Sequence, residues 1–130
     1  MEDLKIDKKQ DIFFSPEVNF NASTGVCELI GESYLEETLK FYEPLYEWLT
    51  NYGNVLKKPL TFNFKLTYFN TSSSKAILDV LFILKDYEES GADVTVNWFY
   101  DTTNKMTMEE EVEDFSDETD LQINLLPFDN

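Results

Sequence analysis

Between Leu60 and Tyr68 the chain alternates without a break: Phe62, Phe64, Leu66 and Tyr68 share one side, and Thr61, Asn63, Lys65 and Thr67 the other. Successive side chains on a strand point to opposite faces, so this run reads as a β-strand with one apolar and one polar face. Val94 to Tyr100 repeats the pattern, with Val94, Val96, Trp98 and Tyr100 against Thr95 and Asn97. From Ser72 the apolar period lengthens to three and four residues, which marks a helix. Strand, helix and strand together form a unit whose two strands are expected to be parallel. A sheet with one polar face takes helices on the other face only. The expected architecture is therefore a two-layer α/β domain.

The preceding residues fit this plan. Val18 and Phe20 on one arm, and Val26 to Ile30 on the other, flank the turn signal Asn21-Ala-Ser-Thr-Gly25 and read as a hairpin. A hairpin joined to a parallel unit makes the sheet mixed. Gly31-Glu-Ser is expected to stop the sheet, and Ser33-Tyr-Leu-Glu36 has the spacing of a capping box. In the helix that follows, Leu35, Leu39, Tyr42, Leu45, Tyr46 and Leu49 form the apolar stripe, with Glu36, Lys40, Glu43 and Glu47 opposite. Pro44 is expected to kink this helix, and Asn51-Tyr-Gly53 to end it. Residues 1–10 read as a flexible lead-in. All 130 residues are expected to form a single domain, being too few for two sizeable cores.

Charge narrows the function. Twenty-six acidic residues against ten lysines and no arginine leave a net charge of −16. Nucleic acid and anionic membranes are disfavoured partners for such a chain, and a basic or polar protein is favoured. Without a single His, the chain lacks the usual general base, the commonest metal ligand and every Ser-His or Cys-His pair. Cys27 stands alone in an apolar run and reads as a buried thiol. The expectation is a non-enzymatic cytoplasmic protein with no cofactor and no metal, since MEDLKIDKKQ lacks a signal-peptide core and no apolar run is long enough to span a membrane. The acidic run EEEVEDFSDETD reads as a solvated segment, with a docking surface or a weak divalent site as other readings. LQINLLPF reads as an edge strand or packed tail.

The segment FNTSSSK is where chemistry could enter. Four consecutive hydroxyl residues, Thr71 to Ser74, sit between the carboxyl end of a strand and the start of a helix. Open α/β folds tend to place sites there, and the free amides of a helix start stabilise an anion. A phosphate on Thr71 or Ser72 would face those amides with about −1.5 to −2 charge. Capping alone accounts for one such hydroxyl, because Ser and Thr are preferred caps. Further along the same helix Phe82 falls among polar residues, with Leu78 beside it. It is either a protein-binding anchor or an apolar residue covered by another segment such as LQINLLPF.

FSPEVNFNASTGVCELIGESY, FYEPLYEWL, LTFNFKLTYFNTSSSKAILDVL and VTVNWFYD together resemble the SiaC-type bacterial regulatory phosphoproteins, from about Phe14 to Phe115. The resemblance implies a fold similar to the STAS domains of anti-sigma factor antagonists. It also implies partner switching: a Ser/Thr kinase modifies a residue at the helix start and a PP2C-like phosphatase restores it. The unmodified form would bind and activate a diguanylate cyclase, placing the chain in cyclic-di-GMP signalling and biofilm regulation. By position the phosphoacceptor falls on Thr71, with Ser72 and Ser73 as alternates. The implied partner surface comprises Asn70, Thr71, Ser72, Ser74, Lys75, Leu78 and Phe82.

Two other readings stay open. One is an anti-sigma factor antagonist acting in a sigma-factor partner switch on the same fold. The other is an anion-binding or enzymatic site in which Thr71 to Ser74 cradle the ligand and Asp101 assists a metal. The last lacks a Gly-rich phosphate loop, any Arg and any His.

Overall fold

The computed structural model describes residues 1–128. In chain order the strands are β1 (Leu4–Ile6), β2 (Lys9–Gln10), β3 (Phe14–Ser15), β4 (Glu17–Phe20), β5 (Val26–Ser33), β6 (Leu60–Phe69), β7 (Val94–Tyr100) and β8 (Ile123–Pro127). Six of them form one mixed sheet in the order β1-β4-β5-β6-β7-β8, while β2 and β3 pair separately. β1, β4 and β5 run antiparallel, and β5 to β8 are successive parallel neighbours. Each parallel step is bridged by a helix: α1 (Thr38–Asn51), α2 (Thr71–Glu89) and α3 (Lys105–Thr119). The carboxyl ends of β5, β6 and β7 therefore share one edge of the domain.

The two-layer arrangement follows from the alternation. Phe62, Phe64 and Leu66 on β6, and Val96 and Trp98 on β7, are buried with Tyr42, Leu45, Ile77, Leu81, Val112 and Phe115 from the helices. On the other face Asn97 Nδ2 donates to Asn63 Oδ1 at 2.9 Å, and Asn124 Nδ2 to Asn97 Oδ1 at 3.0 Å. These asparagines are in register across β6, β7 and β8. Beside them Lys65 pairs with Glu28 at 2.7 Å. The β4–β5 hairpin closes as expected: Asn21 Oδ1 accepts the Ser23 and Thr24 amides at 2.9 and 3.0 Å. Gly25, at φ 72°, has no room for a Cβ beside the Pro59 carbonyl and the Tyr52 hydroxyl.

Several local expectations are overturned, each by a partner distant in sequence. β5 does not stop at Gly31 but continues to Ser33, because β6 runs beside it to Phe69. Ser33 is not a helix cap: α1 begins at Thr38, its N-cap Glu37 makes no side-chain bond, and Ser33 is buried at the strand end. On α1 the buried set is Thr38, Tyr42, Leu45, Trp48 and Leu49, whereas Leu39 is 62% exposed. The helix carries Pro44 inside it, as expected, on its exposed side. It also passes Gly53, as a π-helical turn over Tyr52–Leu56 that ends at Lys57 with φ 53°. Tyr52 explains the wider turn. It is buried, stacks on Trp48 and donates its hydroxyl to the Pro59 carbonyl at 2.8 Å.

The ends of the chain are more ordered than their composition suggests. Within the expected flexible lead-in, Leu4–Ile6 pairs with β4 and the Trp48 indole donates to the Glu2 carbonyl at 2.9 Å. The acidic run is helix α3, which buries Met108, Val112, Phe115 and Thr119 while its carboxylates face outward. The apolar end is the edge strand β8 on β7, as expected, with Phe128 the last described residue. Among the described residues no helix is long and apolar enough to cross a membrane.

Candidate functional site

α2 starts where the sequence places the hydroxyl cluster, but Asn70 does the capping. Its backbone is extended (φ −83°, ψ 178°) and its Oδ1 accepts the Ser73 amide at 3.0 Å. The Ser74 amide reaches the Asn70 carbonyl at 2.9 Å. Those two bonds leave the amides of Thr71 and Ser72 without a protein partner among the described residues. Free amides at the positive end of a 19-residue helix are a favourable setting for an anion.

The four hydroxyl residues differ in access. Thr71 and Ser72 are exposed, Ser74 is half-buried, and Ser73 is fully buried. Ser33 Oγ donates to Ser73 Oγ at 2.7 Å and lies 2.9 Å from Tyr42 Oη. A hydroxyl has one hydrogen, so with Ser33 donating to Ser73, Tyr42 donates to Ser33. The Ser73 hydroxyl thus ties the helix start to β5 and α1 and has no path to solvent. That removes Ser73 as an alternate acceptor while the domain is folded. Ser72 Oγ makes a second tie, 2.7 Å from Thr38 Oγ1, and donates to Asn70 Oδ1 at 3.2 Å. Thr71 is the one hydroxyl of the cluster that is exposed with its side chain in no protein hydrogen bond among the described residues.

A helix turns about 100° per residue, so Thr71, Lys75, Leu78 and Phe82 fall within roughly 60° of one another on the side of α2 opposite its buried face. That buried face is Ser73, Ala76, Ile77, Val80, Leu81 and Leu84, with Ile83 and Tyr87 at its margin, partly buried. Phe82 is 41% exposed and Leu78 half-buried, and β8 lies on β7 without covering Phe82. The stripe runs from Thr71 to Phe82 over about 16 Å. Tyr46 crosses the first turns of α2 from α1 and donates to the Ala76 carbonyl at 3.0 Å. Burial, with the Asp79 carboxylate adding to it, pushes its phenol up to about 12, so it stays a donor at neutral pH.

At the same sheet edge Asp101 follows β7, but its carboxylate is turned inward on its own loop. Oδ1 accepts the Thr103 amide at 3.0 Å and the Thr103 hydroxyl at 2.9 Å, which holds its pKa below the ordinary value. Among the described residues no group of three or more acidic or Cys side chains is placed to hold a metal ion. Cys27 is buried in the core, and burial pushes its thiol far above the ordinary range. Sequence reasoning missed the supporting residues Ser33, Thr38 and Tyr42, because nothing local marks a strand-end serine as the partner of a helix 40 residues later.

A family model described as SiaC family regulatory phosphoprotein matches residues 6–128. An uncharacterized protein of Pseudomonas aeruginosa (strain UCBPP-PA14) is 29% identical over 109 residues, 84% of this chain and 84% of that protein. The crystal structure of apo-SiaC from Pseudomonas aeruginosa is similar with a TM-score of 0.87 at 27% identity, covering 97% of this chain and 99% of that one. A chain in the crystal structure of the diguanylate cyclase SiaD in complex with its activator SiaC, also from Pseudomonas aeruginosa, matches with a TM-score of 0.87. There the identity is 26%, over 96% of this chain and 99% of that one.

Proposed function

The chain belongs to the SiaC family of regulatory phosphoproteins, and from that membership we propose that it is a non-enzymatic cytoplasmic signalling protein that binds a diguanylate cyclase through the exposed face of α2. Thr71 is the phosphoacceptor, modified by a Ser/Thr kinase and restored by a PP2C-like phosphatase. The unmodified form is the one that binds, so the phosphate controls cyclic-di-GMP output and with it biofilm behaviour. One observation carries this reading: Thr71 is the exposed, unengaged hydroxyl at a helix start with two free amides, and Lys75, Leu78 and Phe82 continue its face. Asn70, Ser72 and Ser74 shape the turn that presents it. The complex of a similar protein with a diguanylate cyclase supports the choice of effector.

Two effects decide how the phosphate acts. Within the domain the helix N-terminus favours the anion by roughly 0.3–1 kcal/mol, so the modified fold stays intact. At an interface matched to a neutral hydroxyl, a dianion must be desolvated or repelled, at a cost on the order of 2–5 kcal/mol. The second effect is larger. Incubation with kinase and Mg-ATP should add a single phosphate, mapped to Thr71. A map to Ser23, Thr103 or Ser116 would refute the site, and one to Ser72 would move it by a residue. In calorimetric titration against the cyclase, phosphorylated protein should bind on the order of a hundredfold more weakly, and Thr71→Ala should bind as wild type. Phe82→Ala should bind weakly with an unchanged melt. Equal binding by phosphorylated and unmodified protein would end the switch reading.

A further inference from the structure

β6 alternates as far as Leu66 and then takes in one extra residue. Leu66 pairs with Gly31, Tyr68 with Glu32 and Phe69 with Ser33, so Thr67 has no opposite number on β5. A bulge of this kind re-aims the side chains that follow it. Phe69 turns in against Trp98 and Phe115. Tyr68, expected on the apolar face with Phe62 and Phe64, turns out beside Glu32 and is 50% exposed. There it meets Tyr34 with ring centroids 6.3 Å apart, and Tyr34 stacks on Phe13 at 5.8 Å and 27°. Tyr34 and Phe13 are themselves 42% and 37% exposed. The backbone beneath the three rings is pinned. Phe14 and Tyr34 exchange both amide bonds at 2.8 Å, and the Asn70 amide donates to the Ser33 carbonyl at 3.1 Å. This shelf of rings begins three residues before Thr71, so it borders the turn that carries the acceptor.

The surrounding charge says what the shelf would hold. Glu32 lies across from Tyr68, Asp11 two residues before Phe13, and Glu36 two after Tyr34; none of the three is in an ion pair among the described residues. The cations nearest the rings in sequence are Lys65, three residues before Tyr68, and Lys9, four before Phe13 on the strand that pairs with Phe14–Ser15. Lys65 is occupied by Glu28 and already lies over the Phe99 ring at 5.3 Å, a cation resting on an aromatic face. Half-exposed rings with carboxylates nearby in sequence and register that make no ion pair among the described residues favour a guanidinium, which can stack on a ring and donate to a carboxylate. Net charge of −16 disfavours an anionic lipid or nucleic acid here.

We propose that Phe13, Tyr34 and Tyr68 form a docking shelf for an arginine-bearing segment of a protein partner, with Asp11, Glu32 and Glu36 as its counter-charges. The proposal rests on the reading that this chain works by binding proteins, and it does not depend on phosphorylation of Thr71. The test uses the unmodified full chain, isotope-labelled for NMR, titrated with a synthetic peptide of repeating Gly-Arg and with the same peptide carrying citrulline for arginine. The arginine peptide should move the amides of residues 11–14, 32–36 and 67–69, and the citrulline peptide should leave them in place. Tyr68→Ala should weaken the peptide roughly 3- to 30-fold, the range a cation–π contact spans, while Tyr68→Phe, which keeps the ring, should bind as wild type. Shifts confined to the carboxylate face of α3, unaffected by Tyr68→Ala, would overturn the proposal in favour of charge attraction alone. Self-association that disappears in Tyr68→Ala would overturn it in favour of a second copy on the shelf. Failure of the Thr71 switch would be seen in the phosphorylated protein against the cyclase, a separate measurement.

Discussion

Replacing Ser33 with Ala tests whether the buried hydroxyl chain fixes the start of α2. Ser33 is 0% exposed and joins Ser73 Oγ at 2.7 Å to Tyr42 Oη at 2.9 Å. Ala at this position removes both contacts and leaves a phenol and a serine hydroxyl buried. Burial already pushes the Tyr42 phenol far above its ordinary range, so it cannot escape the loss by ionising. An orphaned buried polar group costs about 1–3 kcal/mol, and the two here share one small gap, so the expected loss is about 2–4 kcal/mol. Urea denaturation followed by fluorescence should show that loss as a lower midpoint with an unchanged slope. Ser72→Ala, which breaks the half-buried tie to Thr38 and an exposed bond to Asn70 Oδ1, should cost under about 1 kcal/mol, because water can replace both partners. The decisive variant is the double one. In Ser33→Ala with Tyr42→Phe the orphaned phenol is gone, so the pair should cost less than the sum of its single changes. Additive costs, or a Ser33→Ala loss no larger than that of Ser72→Ala, would refute the reasoning. Hydrogen exchange at Ser73 and Ser74 should quicken in Ser33→Ala, since the tie holds the turn that presents Thr71.

Ile77→Ala, on the fully buried face of α2, should cost about 2–5 kcal/mol in the same denaturation assay, while Phe82→Ala, five residues on, should cost under about 1 kcal/mol. Similar losses for the two would mean that Phe82 is core. Cys27 should react with a thiol reagent only as fast as the protein unfolds, because its thiol is buried and held far from ionisation; rapid native-state labelling would contradict its packing. Asp101 should titrate below the ordinary value of 3.8, because the Thr103 amide and hydroxyl favour its charged form. With the folded pKa depressed, its stabilising effect is present above the unfolded pKa and lost as pH falls through the folded one. Asp101→Asn should remove that part of the acid dependence, and a carboxyl NMR midpoint at or above 3.8 would refute the assignment.

The elements whose signal is local were legible before any tertiary contact was known. The alternation of Leu60 to Leu66 and of Val94 to Tyr100, and the helical period between them, specified two strands and α2, because periods of 2 and 3.6 residues follow from backbone geometry alone. The hydroxyl cluster before that period placed the helix start within a residue. The stripe from Thr71 to Phe82 was legible for the same reason. Tertiary structure decided what depended on a distant partner. α3 carries apolar residues at Met108, Val112 and Phe115 in helical spacing, but the surrounding carboxylates masked them until β7 supplied a surface to bury them against. Ser33 satisfied a local capping pattern, yet Ser73 and Tyr42 offered its hydroxyl buried partners that a frayed helix end could not. The bulge at Thr67 comes from the register with β5, and it reversed the facing of Tyr68 and Phe69 against their own alternation. Side-chain direction follows from local geometry only while pairing is regular, and register is fixed by the neighbouring strand.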